Sequence, residues 1–228
     1  ESGNGNDMST NGMQTNDQLP DSPTHNFATY NPIGANDTYS SSGITNGALQ
    51  FQGSGSSLKV VGLTIDNNML EGYKWYFEIC ITGSSFNTTI GFRNADNGDD
   101  TPSVEVESDG QIKKDSGNVG SATGGFSAGD IFGIRIDWTD SSSRKISFYK
   151  NNTIITGEQT FSASPNGLIF YARESGSGVH NLNCGQNGTF NGNKTAQGNS
   201  DANGIGNFYY AVPSGHFAIS HKSLNLIS

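Results

Sequence analysis
Short apolar runs separated by Gly- and Asn-bearing turns follow one another from Phe27 to Ile219, and no stretch longer than a turn or two has a helical period. This spacing commits the chain to an antiparallel β-sandwich or barrel, because a strand needs only a few residues to bury one face and the turns supply the reversals. Phe27 to Tyr30, Ala48 to Gln52 and Leu58 to Ile65 are the first predicted strands, the third setting Val61, Leu63 and Ile65 on one apolar face. Lys74 to Ile81 puts Trp75, Phe77, Ile79 and Ile81 on one side and Tyr76, Glu78 and Cys80 on the other. A strand this aromatic belongs in the middle of a sheet. Thr88 to Arg93 follows, then Val104 to Ile112, which turns at Asp109-Gly110 because Gly accepts positive φ. Ile131 to Trp138 opposes Phe132, Ile134, Ile136 and Trp138 to Ile131, Gly133, Arg135 and Asp137. With Lys145 to Lys150 it reads as an antiparallel hairpin, and Asn151-Asn152 makes the next turn. Leu168 to Ala172, Val179 to Cys184 and His216 to Ile219 complete the predicted set.

Composition agrees. The 31 Gly supply turns, while 13 Phe, 8 Tyr and 2 Trp supply strands and a core, in a chain of 228 residues with only 14% charged residues. That length fits one sandwich domain, residues 23–228, preceded by a polar arm, residues 1–22. Residues Glu1 to Ser22 hold only Met8, Met13 and Leu19 as apolar members, too few to offset the entropy of ordering them alone. The arm is therefore expected to order only against a neighbouring subunit. The chain starts at Glu1 without a signal-like apolar segment, as expected of a processed or excised piece. A net charge of -9 without any Lys/Arg run repels nucleic-acid backbones and anionic membranes, and no apolar stretch is long enough for a membrane helix. Cys80 and Cys184 lie in predicted strands and read as small core residues, with a disulfide open if those strands are neighbours.

Three groups of residues invite a chemical reading. Glu105, Glu107 and Asp109 share one face of a strand at period two, the arrangement of a glycoside hydrolase's carboxylates. The simpler reading is a solvent-facing strand with Val104 and Val106 turned inward. Asn94 to Asp100 crowds Asn94, Asp96, Asn97, Asp99 and Asp100 into one loop, oxygen ligands that suit Ca²⁺ or equally a polar loop without metal; no bidentate Glu follows, so no metal or cofactor is assigned. Nor do His25, His180, His216 and His221 pair into a metal site, and no Gly-x-Ser-x-Gly or Cys/His nucleophile signature occurs. Tyr171, Arg173, Tyr209 and Tyr210, near strand ends and the long loop from Gln186 to Asn207, are the candidate contact residues, since aromatic faces stack on sugars and anchor protein contacts. Packing beneath that loop is their alternative role.

Five segments in one order carry a resemblance: Lys74 to Glu78, Ser108 to Ile112, Gly129 to Asp137, Lys145 to Asn152 and Asn181 to Gly185. Together they resemble the SPRY domain family, over nearly the whole chain. One departure is Cys184, which stands where that family usually has an aromatic. The resemblance implies an all-β, antiparallel concanavalin A-like sandwich with an extended N-terminal arm, and a module that binds and does not catalyse. The opening Asp21 to Pro32 and the closing Asp201 to Gly204 with Pro213 to Phe217 are similar to the variant of this domain carried by tailed bacteriophages in fibre and other virion proteins. That likeness implies a place on the virion surface within a homo-oligomeric assembly, with a host glycan or another virion protein as partner. Against it stand a concanavalin A-like glucanase using Glu105 and Glu107, and a purely structural decoration subunit.

Overall fold
The computed structural model describes residues 26–31, 43–53, 59–64, 70–94, 102–161 and 168–227. Two antiparallel sheets account for nearly all of its regular structure. The first joins, edge to edge, β1 (Tyr30–Asn31), β4 (Lys59–Leu63), β14 (Leu168–Glu174), β6 (Thr88–Asn94), β7 (Ser103–Glu107), β8 (Ile112–Lys114) and β9 (Gly117–Val119). The second runs β12 (Thr153–Ile154), β11 (Arg144–Lys150), β10 (Ile131–Asp137), β5 (Lys74–Thr82), β15 (Val179–Asn183), β3 (Gln50–Gln52) and β2 (Ile44–Thr45). Short strands β13 (Gln159–Phe161) and β16 (Phe217–Ala218) add to β11 and β5.

The two sheets stack through the faces that strand alternation marks as apolar. Phe77 of β5 meets Phe170 of β14 edge-on at 5.2 Å, and Phe92 of β6 meets both Phe170, at 5.6 Å, and Trp138, at 5.9 Å. Trp75, Phe77, Ile79 and Ile81 are fully buried there, as are Phe132, Ile134 and Ile136, so the inner face of the central pair β5–β10 is continuous hydrocarbon. Val104 and Val106 turn inward from β7 while Glu105 and Glu107 turn outward.

Turn chemistry sets the register at the sheet margins. Asn151 and Asn152, both at positive φ (49° and 64°), close the two-residue reversal that pairs Lys150 with Thr153. Asp115 and Ser116 (50° and 64°) do the same between β8 and β9. Strands β2, β9, β12 and β13 are too short for any periodicity to reveal them. The helix α1 (His221–Ile227) spans only seven residues and is equally hidden from a periodicity argument. Its start is capped by Ser220, whose Oγ accepts the Ser223 N–H at 3.1 Å.

One topological detail positions the site. β15 runs along β5 only as far as Asn183 opposite Glu78, and the chain then leaves the sheet. It returns at Phe217, which lies opposite Trp75 on the same edge, now parallel to β5. Residues 184–216 therefore start and end beside one strand, and Glu78 sits at the gap between departure and return.

Candidate contact surface
Outward from β5 point Tyr76, Glu78 and Cys80, all buried although they face away from the core between the sheets. What covers them is the segment 184–216. Phe208 packs on Tyr76 at 5.3 Å, and Phe190 joins Cys80 and Ile131 in a second small core against which Tyr209 and Tyr210 lie. Asn side chains stitch this segment in place of a regular ladder. Asn183 Oδ1 accepts the N–H groups of Gly185 and Asn187, Asn187 Oδ1 accepts that of Asn191, and the Asn199 amide donates to the carbonyls of Phe208 and Tyr209. Asp201 takes the N–H groups of Asn203 and Ile205 on one oxygen and that of Ala218 on the other. The abundance of Asn thus has a structural use: each short amide replaces a backbone partner that an irregular segment lacks.

Glu78 is the anchor of this arrangement. Its carboxylate, wholly buried, accepts four donors: the Tyr76 hydroxyl at 2.9 Å, the Asn183 amide at 3.1 Å, and the backbone N–H groups of Tyr209 at 2.9 Å and Tyr210 at 2.8 Å. Burial raises its pKa above the ordinary carboxylate value, and the four donors pull against that rise. Because the main chain of Tyr209 and Tyr210 is what Glu78 holds, their rings are left half-buried, edge to face at 5.0 Å. Burial also raises the Tyr210 hydroxyl's pKa, with Tyr209 and Glu78 adding to it.

A second buried carboxylate, Glu174, lies on the inner side of the first sheet. It accepts the Asn87 and Gly176 N–H groups, the Thr88 hydroxyl and the imidazole Nε2 of His180, the last at 3.3 Å. Burial pushes its pKa up, and the His180 and Thr88 hydrogen bonds outweigh that and hold it below the usual value. A hydroxyl, an imidazole and a carboxylate in contact resemble a nucleophile's setting. Here Thr88, Glu174 and His180 are sealed from solvent, and the glycines Gly53, Gly176 and Gly178 press so closely that a β-carbon at any of them would collide with Glu174 or its loop. A substrate has no path to the group, so its role is to tie three chain segments together.

The four sequence-predicted contact residues fall into two pairs on opposite faces of the sandwich. Tyr171 and Arg173 stand on the outer face of the first sheet. Tyr171 is buried, with the Arg93 guanidinium 4.8 Å from its ring centre, and Arg173 donates to Thr89 Oγ1 at 2.9 Å. Tyr209 and Tyr210 stand on the outer face of the second. Glu105 and Glu107 share the first face; Glu107 pairs with Lys113 at 2.7 Å. The loop Asn94 to Asp100 lies outside the described side chains, as does the arm, and among the described residues no cluster of His, Cys, Asp and Glu could hold a metal. Cys80 and Cys184 are free thiols. Their strands are neighbours, as a bridge required, but Cys80 faces outward opposite Asn181 whereas Cys184 enters the core between the sheets.

Sequence reasoning does not single out Arg135 or Tyr149 as contact residues. Arg135 lies across from Tyr76 and Ser147 on the outer face of the second sheet, with its guanidinium carbon 3.6 Å from the centre of the Tyr149 ring and Nη1 donating to the Tyr149 hydroxyl at 2.7 Å. The outward phase of Arg135 is legible from alternation; its stacking on Tyr149, 14 residues away, is not.

Among solved structures, the chain is similar to the SPRY domain of human HERC1, with 13% identity and a TM-score of 0.46 over 61% of this chain and 89% of that one. It is similar also to a human SPRY domain, at 22% identity and a TM-score of 0.41 over 59% and 90%. The PSpry domain of TRIM65 matches at 17% identity and a TM-score of 0.46 over 68% and 88%. No protein-family model and no curated protein matches the chain.

Proposed function
We propose that this chain is a non-enzymatic binding module of a bacteriophage virion surface, used for attachment to a host glycan or to another virion protein. The observation that carries the reading is the Tyr209–Tyr210 pair: Glu78 fixes its backbone from beneath, so two aromatic rings are presented with their main chain already immobilised. Contacts from a preorganised aromatic pair lose little entropy on binding. The two fully buried carboxylates of the described residues, Glu78 and Glu174, are spent on holding segments together rather than turned toward a substrate. The virion setting rests on the resemblance of Asp21 to Pro32, Asp201 to Gly204 and Pro213 to Phe217 to the phage variant of the SPRY domain, and homo-oligomeric assembly through the arm belongs to the same reading.

The test is adhesion of the labelled chain to host cells and to isolated virions lacking it. Wild type should bind one of them, and Tyr209→Ala with Tyr210→Ala should lower that binding at least tenfold without shifting the melting temperature by more than a few degrees. Unchanged binding by the double variant, or turnover of a host polysaccharide that is lost in Glu107→Gln, would overturn the proposal.

A further inference from the structure
Arg135 is a half-buried cation with no carboxylate beside it among the described residues. Nη1 donates to the Tyr149 hydroxyl, and Nε is buried without an acceptor among the described residues. The described residues around it offer no spare anion. The cross-strand neighbours are Tyr76 and Ser147, Asp137 further along the strand is held by Lys74 at 2.7 Å, and both oxygens of Glu78 are filled. Arg144 at the start of the neighbouring strand β11, by contrast, is paired with Glu71. His216, just before β16, lies beyond β5, on the edge away from β10. Its Nδ1 lies 3.3 Å from the Ser214 carbonyl, and burial holds its pKa below the ordinary imidazole value.

In a chain of net charge -9, a guanidinium on a tyrosine ring without a carboxylate partner among the described residues is unusual chemistry. A guanidinium held flat by an aromatic is a preformed fork for a planar anion. The position of Arg135 also restricts what can bring that anion. β10 is bonded on both edges, to β5 and to β11, so a peptide strand finds no free backbone to pair with and any ligand meets side chains alone. Those side chains are a cationic donor and a phenol, which match a ring bearing one carboxylate and several hydroxyls.

We propose that Arg135 and Tyr149 form a subsite for the carboxylate of an acidic sugar, a uronic-acid residue of a host-surface polysaccharide. The subsite rests on the attachment reading and gives it a ligand class. Calorimetric titration of the full chain with tri-galacturonate, a glucuronate-containing oligosaccharide, the methyl ester of tri-galacturonate and a Glu-rich hexapeptide tests it. One of the two acidic oligosaccharides should bind, its esterified form at least tenfold more weakly, and the hexapeptide not measurably. Arg135→Gln should lose at least tenfold, and Arg135→Lys, which keeps the charge and the alkyl stem but not the fork, should lose nearly as much with the melting temperature preserved. Equal binding of the ester, preference for the hexapeptide, an unaffected Arg135→Lys variant, or no binding of either oligosaccharide overturns the subsite. If the oligosaccharides fail while the chain still adheres to host cells through Tyr209 and Tyr210, the subsite falls and the attachment module stands; if adhesion fails as well, both fall.

Discussion
Glu78 holds Tyr209 and Tyr210 by their backbone N–H groups, one on each carboxylate oxygen, at 2.9 and 2.8 Å. A residue on the central strand thus sets the height of a segment that begins at Cys184 and rejoins the sheet at Phe217. The same carboxylate takes the Tyr76 hydroxyl, and Tyr76 fits there because Gly133 across the ladder has no side chain: a β-carbon at Gly133 would lie 2.8 Å from the Tyr76 hydroxyl oxygen.

Glu78→Gln replaces one acceptor oxygen by an NH2 group that must face a backbone N–H. The loss should be about 1.5–3 kcal/mol, the range for hydrogen bonds to a charged group. Hydrogen exchange at the Tyr209 and Tyr210 amides should accelerate together, while the amides of β10 exchange as slowly as in wild type. Unchanged protection at those two amides would show that something else fixes the segment.

The two buried carboxylates predict opposite pH profiles. Glu174 has its pKa lowered from 4.5 by His180, Thr88 and the Asn87 N–H against burial, so its stabilising contribution is present above 4.5 and is lost as pH falls through its folded value. Glu78 has its pKa raised from the same 4.5, chiefly by burial, so its pH-linked contribution is full below 4.5 and declines as pH rises through the folded value. Urea unfolding of wild type, Glu174→Gln and Glu78→Gln between acid and neutral pH separates them. The wild-type advantage over Glu174→Gln should grow with pH, and the advantage over Glu78→Gln should shrink. Parallel curves would refute both assignments.

Strand alternation alone makes the inner faces readable: Trp75, Phe77, Ile79 and Ile81 are buried together as their spacing requires, and so are Phe132, Ile134 and Ile136. The site is harder to read because it depends on residues distant in sequence. Nothing local to Tyr209 shows that Glu78 waits beneath it 131 residues earlier, or that Tyr171 and Arg173 lie on the opposite face. Buried Glu78 and Glu174 look like exposed strand carboxylates when judged by residue type alone, since burial of a charge is decided by donors that arrive from other segments. The β1-to-β4 and β16-to-β5 pairings likewise rest on contacts that no periodicity encodes.

Neither thiol should react in the folded protein. Burial pushes the Cys80 thiol up to about 11 and the Cys184 thiol higher still, and only thiolates react at useful rates. A thiol reagent at pH 8 should therefore label nothing under native conditions and both cysteines after denaturation, with no mass difference between reduced and unreduced protein. A loss of two hydrogens in the unreduced protein would mean that the opposite-facing placement of Cys80 and Cys184 is wrong.

Core and contact faces are separated most cleanly by truncation on each side of one sheet. Phe77 is fully buried against Phe170, and Trp138 against Phe92, so Phe77→Ala or Trp138→Ala should each cost about 3–5 kcal/mol, a large part of a domain's whole stability. Such variants would lose binding only because they lose the fold. Tyr209 and Tyr210 are half-buried, and their backbone is secured by Glu78 whatever the side chain, so their truncation to Ala should cost about 1 kcal/mol or less each. Thermal unfolding and adhesion measured on the same four variants must therefore dissociate: stability falls first in the Phe77 and Trp138 pair, adhesion first in the tyrosine pair. If the tyrosine variants unfold with the core variants, the rings of Tyr209 and Tyr210 are structural pillars of segment 184–216 and the contact surface has to be sought around Arg135 instead.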